Sequence, residues 1–245
     1  MNKVLSFLLF TFYSITSAND CNIQFKKAVQ FYEAKQYASS VEQFNRCLDQ
    51  GIKNAEIYYN IANAQYKDGN LALAILNFEK ALKINPLDLD AIHNLTIAQS
   101  QQLDKQVSID RKSIFYQTLY LIPINWSLQI SVLLILAWIS FVLFSKNKSD
   151  QVQLRLYALA VVIFIIAVPI IGSTTYRIYQ NEFQKYGIVL NDKAQVLTGP
   201  SSKSNSLTTL NSGYKFEILE TQNKWSKVKF EDTYGWVLKK SLGDI

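Results

Sequence analysis

Hydrophobic positions recur with helical spacing between residues 21 and 103, in two units set 34 residues apart. The first unit's Ala28, Phe31, Tyr32, Tyr37, Phe44, Cys47 and Leu48 align with Ala62, Gln65, Tyr66, Leu71, Phe78, Ala81 and Leu82 of the second. In the second unit, small residues at Ala62 and Ala74 let two helices approach closely, and Pro86 ends the second helix. The pattern predicts an all-α array of helical hairpins, continued by a further helix from Leu89 to about Leu103.

Two long apolar runs follow, from Trp126 to Phe144 and from Leu156 to Thr175, and neither contains a charged residue. As a helix the first run would be about 28 Å long, close to the roughly 30 Å hydrocarbon core of a bilayer. One such run could be a buried core helix, but two runs joined by the short segment 145–155 predict a transmembrane hairpin. Pro169 is expected to kink the second span without breaking it.

The N-terminal residues 1–18 have the pattern of a secretory signal peptide. Lys3 precedes an apolar stretch from Val4 to Ile15, and small residues before Asn19 place a cleavage site after Ala18. A retained membrane anchor is the alternative, but the apolar stretch would reach only about 18 Å as a helix.

Basic residues between the two apolar runs set the expected orientation in the membrane. Lys146, Lys148 and Arg155 outnumber Asp150 there, which favours the cytoplasmic side. A signal peptide independently places residues 19–125 outside the cytoplasm. Both arguments predict a bacterial inner-membrane protein with its soluble parts in the periplasm and only the short loop in the cytoplasm.

The C-terminal segment 186–245 changes to a β-type pattern, with short alternating stretches separated by turn residues such as Gly199-Pro200. This spacing predicts a small all-β barrel. The chain is therefore predicted to be multi-domain, with a signal peptide (1–18), a repeat array (21–103), a linker (104–125), a first span (126–144), a loop (145–155), a second span (156–175), a linker (176–185) and the barrel (186–245).

Charge and composition narrow the classes of function. The chain has 25 Lys and Arg against 19 Asp and Glu, a net charge of +6, but no block is basic enough to predict nucleic-acid binding. A single His and two Cys exclude a metal site built from several His or Cys ligands. No metal or cofactor is therefore expected.

No catalytic set of residues stands out in the sequence. His93 is the only imidazole, and it falls on a predicted repeat helix with no nucleophile placed beside it. The sequence also contains no phosphate-binding loop of the GxxxxGK[ST] type. The sequence therefore predicts a protein that is not an enzyme.

The second unit of the array closely resembles a tetratricopeptide repeat, and the first unit resembles one more loosely, with Lys35 where Gly is usual. The matching residues of the second unit are Tyr58, Ile61, Ala62, Tyr66, Gly69, Ala74, Phe78, Ala81, Leu82 and Pro86. The resemblance implies a concave groove for peptides or protein partners, formed here by Glu56, Tyr59, Asn63, Tyr66, Lys67, Asp90, His93, Ile97 and Gln101. For each of these residues, an ordinary solvated helix position is the alternative.

Cys21 and Cys47 both belong to the first repeat unit. Cys21 opens the first helix and Cys47 lies near the end of the second, so an antiparallel hairpin brings them together. A disulfide between them is expected if this part of the chain lies in the oxidising periplasm. Two unpaired thiols, with Cys47 filling a small-residue core position, are the alternative.

The C-terminal segment resembles a bacterial SH3 domain. The matching residues are Val196, Gly199, Pro200, Ser201, Leu210, Gly213, Trp225, Val228, Gly235, Trp236 and Val237. Members of that family bind cell-wall peptides or protein partners, which implies a ligand surface at Trp225, Tyr234 and Trp236. Trp236 could instead fill the barrel core. Leu197 departs from the family pattern, which often has Arg there.

The order of signal peptide, repeats, two spans and SH3-like domain resembles the BatE branch of the bacterial Bat aerotolerance family. The resemblance implies a place beside von Willebrand A-type Bat membrane proteins and a MoxR-type ATPase, in a complex linked to oxidative or envelope stress tolerance. The first hypothesis is therefore a non-enzymatic membrane scaffold that docks protein partners in the repeat groove. A protein that attaches to peptidoglycan through the SH3-like domain is the second hypothesis, and a hydrolase is the third.

Overall fold

The computed structural model of the protein describes residues 20–103, 124–145 and 149–245. The expected signal peptide 1–18, most of the expected linker 104–125 and positions 146–148 of the expected loop lie outside the described residues. The described residues form two compact units. One unit joins 20–103 with 185–245, and the other contains the two long apolar helices.

Five helices make up the described part of the array, as the repeat pattern predicts. They are α1 (described over 20–33), α2 (Tyr37–Asp49), α3 (Ala55–Lys67), α4 (Leu71–Ile84) and α5 (Leu89–Leu103). The carboxamide oxygen of Asn54 caps α3 by accepting a hydrogen bond of 2.8 Å from the Ile57 N–H. Asp88 caps α5 in the same way, since its carboxylate accepts a bond of 3.0 Å from the Ala91 N–H. Helices α1 and α2 form the first hairpin, α3 and α4 form the second, and α5 continues the array.

The turns inside the two hairpins share a left-handed backbone conformation. Gly69 adopts φ 84° between α3 and α4, and Lys35 adopts φ 59° at the equivalent position between α1 and α2. This conformation costs a residue with a side chain roughly 1–2 kcal/mol, whereas glycine adopts it freely. The first repeat therefore keeps the shape of the turn at Lys35 even though it lacks the usual glycine.

Small residues lie where the helices of the second hairpin pack together. Ala62 of α3 and Ala74 of α4 are fully buried in one hydrophobic cluster with Phe78, Leu95 and Ala98. Alanine at both crossing positions allows the backbones to approach, and Phe78 fills the space that remains. These residues occupy the positions that the repeat pattern assigns to them.

The C-terminal segment folds into a seven-stranded antiparallel sheet. Its strands are β1 (Lys185–Val189), β2 (Lys193–Leu197), β3 (Ser206–Asn211), β4 (Lys215–Gln222), β5 (Trp225–Phe230), β6 (Thr233–Leu238) and β7 (Leu242–Asp244), and their spatial order is β3-β2-β6-β5-β4-β1-β7. Irregularities after Val196 in β2 and after Ile218 in β4 mark β-bulges, which bend the strands. Val189, Val196, Phe216, Val228 and Val237 form the core of this SH3-like all-β domain, which the sequence predicts.

The two apolar runs form the long helices α6 (Ile124–Ser145) and α7 (Asp150–Phe183). The stretches Trp126–Phe144 and Asp150–Tyr179 are long and apolar enough to cross a membrane, and only 11% of the most apolar 18-residue part of each is buried inside the protein. A core helix of a soluble protein would be mostly buried, so the exposure of these helices favours membrane association. Helix α7 continues through Pro169 and extends beyond both ends of the span predicted at 156–175.

The array and the SH3-like sheet share a hydrophobic core. Ile188 of β1 is fully buried in the same cluster as Ile75 and Leu76 of α4. At the margin of this contact, the Lys215 ammonium of β4 lies 2.7 Å from the Glu79 carboxylate of α4. The segments that precede and follow the apolar helices in the sequence therefore contact each other directly.

Candidate functional site

The residues expected in the repeat groove lie on the neighbouring helices α3 and α5. Helix α3 carries Glu56, Tyr59, Asn63, Tyr66 and Lys67, and helix α5 carries Asp90, His93, Ile97 and Gln101. The three central members of the α3 set, Tyr59, Asn63 and Tyr66, are half-buried, and the charged members are exposed. Ile97 is an apolar side chain that is 40% exposed. The set therefore combines partly buried rings and amides with solvated charges.

A hydrogen-bond network joins α3 to α5 within this set. The carboxamide nitrogen of Asn94 donates to the Tyr59 hydroxyl at 3.1 Å and to the Asn63 carboxamide oxygen at 3.0 Å. Both α3 side chains are therefore held in place from the neighbouring helix. Asn94 is absent from the groove residues that the sequence predicts, and Asn60, at the equivalent position of the second repeat, is the signal that could have pointed to it.

The groove tyrosines pack against the hydrophobic core of the array. Tyr59 and Tyr66 pack against the cluster that contains Phe78, and the ring centres of Tyr59 and Phe78 are 5.9 Å apart. Helix α1 adds Tyr32 to this neighbourhood. Burial raises the pKa of Tyr32, and electrostatic interactions with Tyr37 and Tyr59 raise that pKa further. The Tyr32 hydroxyl can offer a ligand both a hydrogen-bond donor and an acceptor.

A disulfide joins Cys21 of α1 to Cys47 of α2, whose Cα atoms are 4.9 Å apart. Both cysteines are buried, and they belong to a hydrophobic cluster with Phe44 and Ile57. The bridge lies at the end of the first hairpin opposite the turn at Lys35. It ties together the two helices that carry Tyr32 and Tyr37.

His93 is the single histidine of the chain and lies exposed on α5. Across residues 20–103, 124–145 and 149–245, no group of three or more His, Cys, Asp or Glu side chains could hold a metal ion. His93 is thus one exposed polar residue among the groove residues.

The three aromatic residues expected to bind a ligand share the outer face of strands β5 and β6. Trp225 pairs with Leu238, Lys227 with Trp236, and Lys229 with Tyr234. Directly opposed residues of antiparallel strands point to the same face, and the core residues Val228 and Val237 occupy the other face. Tyr234 is 53% exposed, and the two tryptophans are half-buried.

Opposite charges accompany the aromatic rings on this outer face. The Lys229 ammonium lies 6.0 Å from the centre of the Tyr234 ring, an arrangement that allows a cation–π contact. On the adjacent strand β4, Glu217 pairs with Lys229 and Glu220 pairs with Lys227. The face therefore places positive and negative charges beside one exposed ring and two half-buried rings, which suits a ligand that bears both charges, such as a peptide.

An open cleft of about 310 Å³ adjoins this face and shares Lys229 and Glu217 with it. Its other lining residues are Tyr186, Lys215, Phe216, Phe230 and Glu231. The Lys215 ammonium is already paired with Glu79 and lies 5.0 Å from the centre of the Tyr186 ring. The cleft is therefore an extension of the outer face rather than a separate charged pocket.

Two segments of the chain match known protein families. Residues 55–87, which span α3 and α4, match the tetratricopeptide repeat. Residues 192–243, from β2 into β7, match the bacterial SH3 domain. No curated protein matches the chain. The protein is therefore built from tetratricopeptide-repeat and bacterial SH3 modules with two apolar helices between them, and both kinds of module are typically non-catalytic interaction domains.

Proposed function

We propose that the protein is a non-enzymatic membrane scaffold that binds protein partners through its repeat groove and its SH3-like domain. The observation that carries the proposal is the fixed geometry of the groove, in which Asn94 holds Tyr59 and Asn63 by hydrogen bonds. A surface that is ordered before binding loses less conformational entropy when a partner docks. The two family matches support the same kind of function.

Both modules are proposed to lie on the periplasmic side of a bacterial inner membrane. The core shared by α4 and β1 supports a single compartment for the array and the sheet, and a hairpin of two spans meets that requirement. The basic residues of the segment 145–155 support a cytoplasmic loop. The Cys21–Cys47 bridge supports an oxidising compartment for the array.

Reporter fusions test this orientation. An enzyme that is active only in the cytoplasm should be silent when fused after Gln102 and active when fused after Ser149. The first result follows from a periplasmic array, and the second from a cytoplasmic loop between the spans. Activity after Gln102, or silence after Ser149, would contradict the orientation.

The order of the modules supports a place in a Bat-type complex. Its proposed partners are von Willebrand A-type Bat membrane proteins and a MoxR-type ATPase system, and its proposed role is in tolerance of oxidative or envelope stress. No cofactor is part of this proposal, since the scaffold acts by holding partners together.

Capture of partners from intact cells tests the groove directly. Cells that carry the full chain are cross-linked, their membranes are extracted with mild detergent, and the co-purifying proteins are identified. The double variant His93→Ala/Ile97→Ala should reduce capture of the partner about tenfold or more, because a few central contacts carry most of a binding free energy.

A matched control is the double variant Leu73→Ala/Ile84→Ala on α4, whose two side chains are also exposed. This control should leave capture unchanged. Equal losses for the two double variants would show that the groove is not the binding surface.

A second candidate function, attachment to peptidoglycan, is favoured by the aromatic rings and paired charges on β5 and β6. Its signature is sedimentation of the full chain with purified cell-wall material, and loss of that sedimentation in the variant Tyr234→Ala. Wall binding without capture of any membrane protein would favour this function over the scaffold.

A further inference from the structure

Helix α4 contributes to the contact between the array and the SH3-like domain through two neighbouring apolar side chains. On α4, the second helix of the second repeat's hairpin, Ile75 is fully buried and Leu76 is only 6% exposed. Ile188, Leu190 and Ile245 of the C-terminal segment complete the cluster around them. Both α4 and the C-terminal segment therefore contribute apolar side chains to this contact.

Two glycines allow the sheet to approach the array closely. A Cβ atom on Gly243 would lie 2.6 Å from Leu76 Cδ2, and one on Gly213 would lie 2.9 Å from Ile75 Cδ1. Gly213 would also meet Gln102 of α5, at 2.7 Å from its Cγ. Real Cβ atoms do not come so close to their neighbours, so any other residue at these positions would require the contacted side chains, or the two parts of the unit, to shift.

Polar residues on the last part of α4 add further contacts with the C-terminal segment. The Glu79 carboxylate, whose side chain is 11% exposed, forms an ion pair of 2.7 Å with the Lys215 ammonium. The Lys83 ammonium donates a hydrogen bond of 2.9 Å to the backbone oxygen of Ile245. Between them on α4, burial lowers the pKa of Lys80, and the Asp244 carboxylate of β7 opposes that shift.

We infer that α4 is a docking surface for this chain's own SH3-like domain, so that the array and the domain form one cooperative unit instead of two independently tethered modules. A shared apolar core, close packing at two glycines and neighbouring polar contacts favour a fixed arrangement over independent motion of the two parts. Because both partners belong to one chain, docking is intramolecular and is favoured by a high effective concentration.

Docking leaves the candidate ligand surface of the SH3-like domain free, and it supports the candidate repeat groove. Trp225, Tyr234 and Trp236 are not part of the shared cluster, and Tyr234 is 53% exposed in the docked unit, so the outer face of β5 and β6 remains accessible there. Tyr59 and Tyr66 of the groove pack against the same cluster that receives Ile188. Loss of docking is therefore expected to loosen the support of the groove tyrosines.

Hydrogen exchange in the full chain, held in detergent micelles without any partner, tests this inference. The variant Leu76→Asp places a carboxylate in the shared core, and it should raise amide exchange in α4, β1 and β7 together by about tenfold or more. The matched control Leu73→Asp lies on the same helix at a position that is 37% exposed, and it should change none of them. Helices α1 and α2, which have a separate core, serve as the internal reference for a folded array.

If Leu76→Asp disrupts α4 itself, reversing the charges of the Glu79–Lys215 ion pair provides a second test. Glu79→Lys should raise exchange in β1 and β4, and the double variant Glu79→Lys/Lys215→Glu should restore protection. The matched control Glu42→Lys breaks the exposed Arg46–Glu42 pair on α2, and it should leave the sheet unchanged. Increased exchange confined to α4, or no recovery in the double variant, would overturn the inference without bearing on whether partners bind the groove.

Discussion

Replacing Gly235 with Val is expected to unfold the SH3-like domain. A Cβ atom at this position would collide with the Val196 side chain and lie 3.2 Å from the Leu197 carbonyl oxygen, and both neighbours belong to the adjacent strand β2. Overpacking of this kind should reduce the free energy of unfolding by about 3 kcal/mol or more, a large part of the stability of a small domain.

Hydrogen exchange of β2 and β6 in the full chain measures the effect of Gly235→Val. The matched control is Thr233→Val, which introduces the same side chain at an exposed position of the same strand and should change stability by no more than about 0.5 kcal/mol. Because α4 relies on the sheet to cover Ile75 and Leu76, protection of α4 should fall together with that of β2. Normal protection of β2 in the Gly235→Val protein would contradict the packing described here.

Removal of the Cys21–Cys47 bridge is expected to produce the second large loss of stability. The bridge closes a loop of about 25 residues, and a loop of this length corresponds to about 3 kcal/mol of stabilisation through the lower entropy of the unfolded chain. The double variant Cys21→Ala/Cys47→Ala should therefore unfold at a lower urea concentration in α1 and α2, as followed by hydrogen exchange.

Reduction of the native protein provides the control for that variant. The reduced native chain should unfold like the double variant, and the double variant itself should not respond to reductant. Thiol labelling of the denatured but unreduced native chain should find no free cysteine. Two labelled thiols, or identical urea midpoints for the native and variant chains, would refute a stabilising bridge.

The architecture could be predicted from the sequence wherever one pattern repeats within a short distance. The 34-residue offset aligns Ala28 with Ala62 and Phe44 with Phe78, and all four residues are buried in the structure. The apolar runs and the alternating strands are local patterns as well. Each of them follows from which residues must leave water within a single helix or strand.

Contacts between distant segments could not be predicted in this way. Glu79 and Lys215 are separated by 136 positions, and either residue could equally be a solvated charge on its own element. Ile188 is an apolar residue in a strand, which a barrel core would explain without any contact to α4. The docking of the sheet on the array becomes visible only when both surfaces are present together.

In the candidate groove, too, some residues could be predicted from the sequence and others could not. The resemblance to a tetratricopeptide repeat assigns Tyr59 and Asn63 to the groove by their position on α3. It does not select Asn94, whose role depends on the reach of a short amide to two side chains on another helix. Geometry of this kind has no periodic signature in a sequence.

Site-specific photo-cross-linking in living cells tests the scaffold proposal most directly. A photoreactive residue is placed at Ile97 in the groove or at Leu73 on α4, which are 40% and 37% exposed and so are equally accessible. The proposal predicts that Ile97 forms adducts with a small number of membrane-protein partners and that Leu73 forms none of them. The same adducts at both positions, or no protein adduct at Ile97, would contradict binding of partners in the repeat groove.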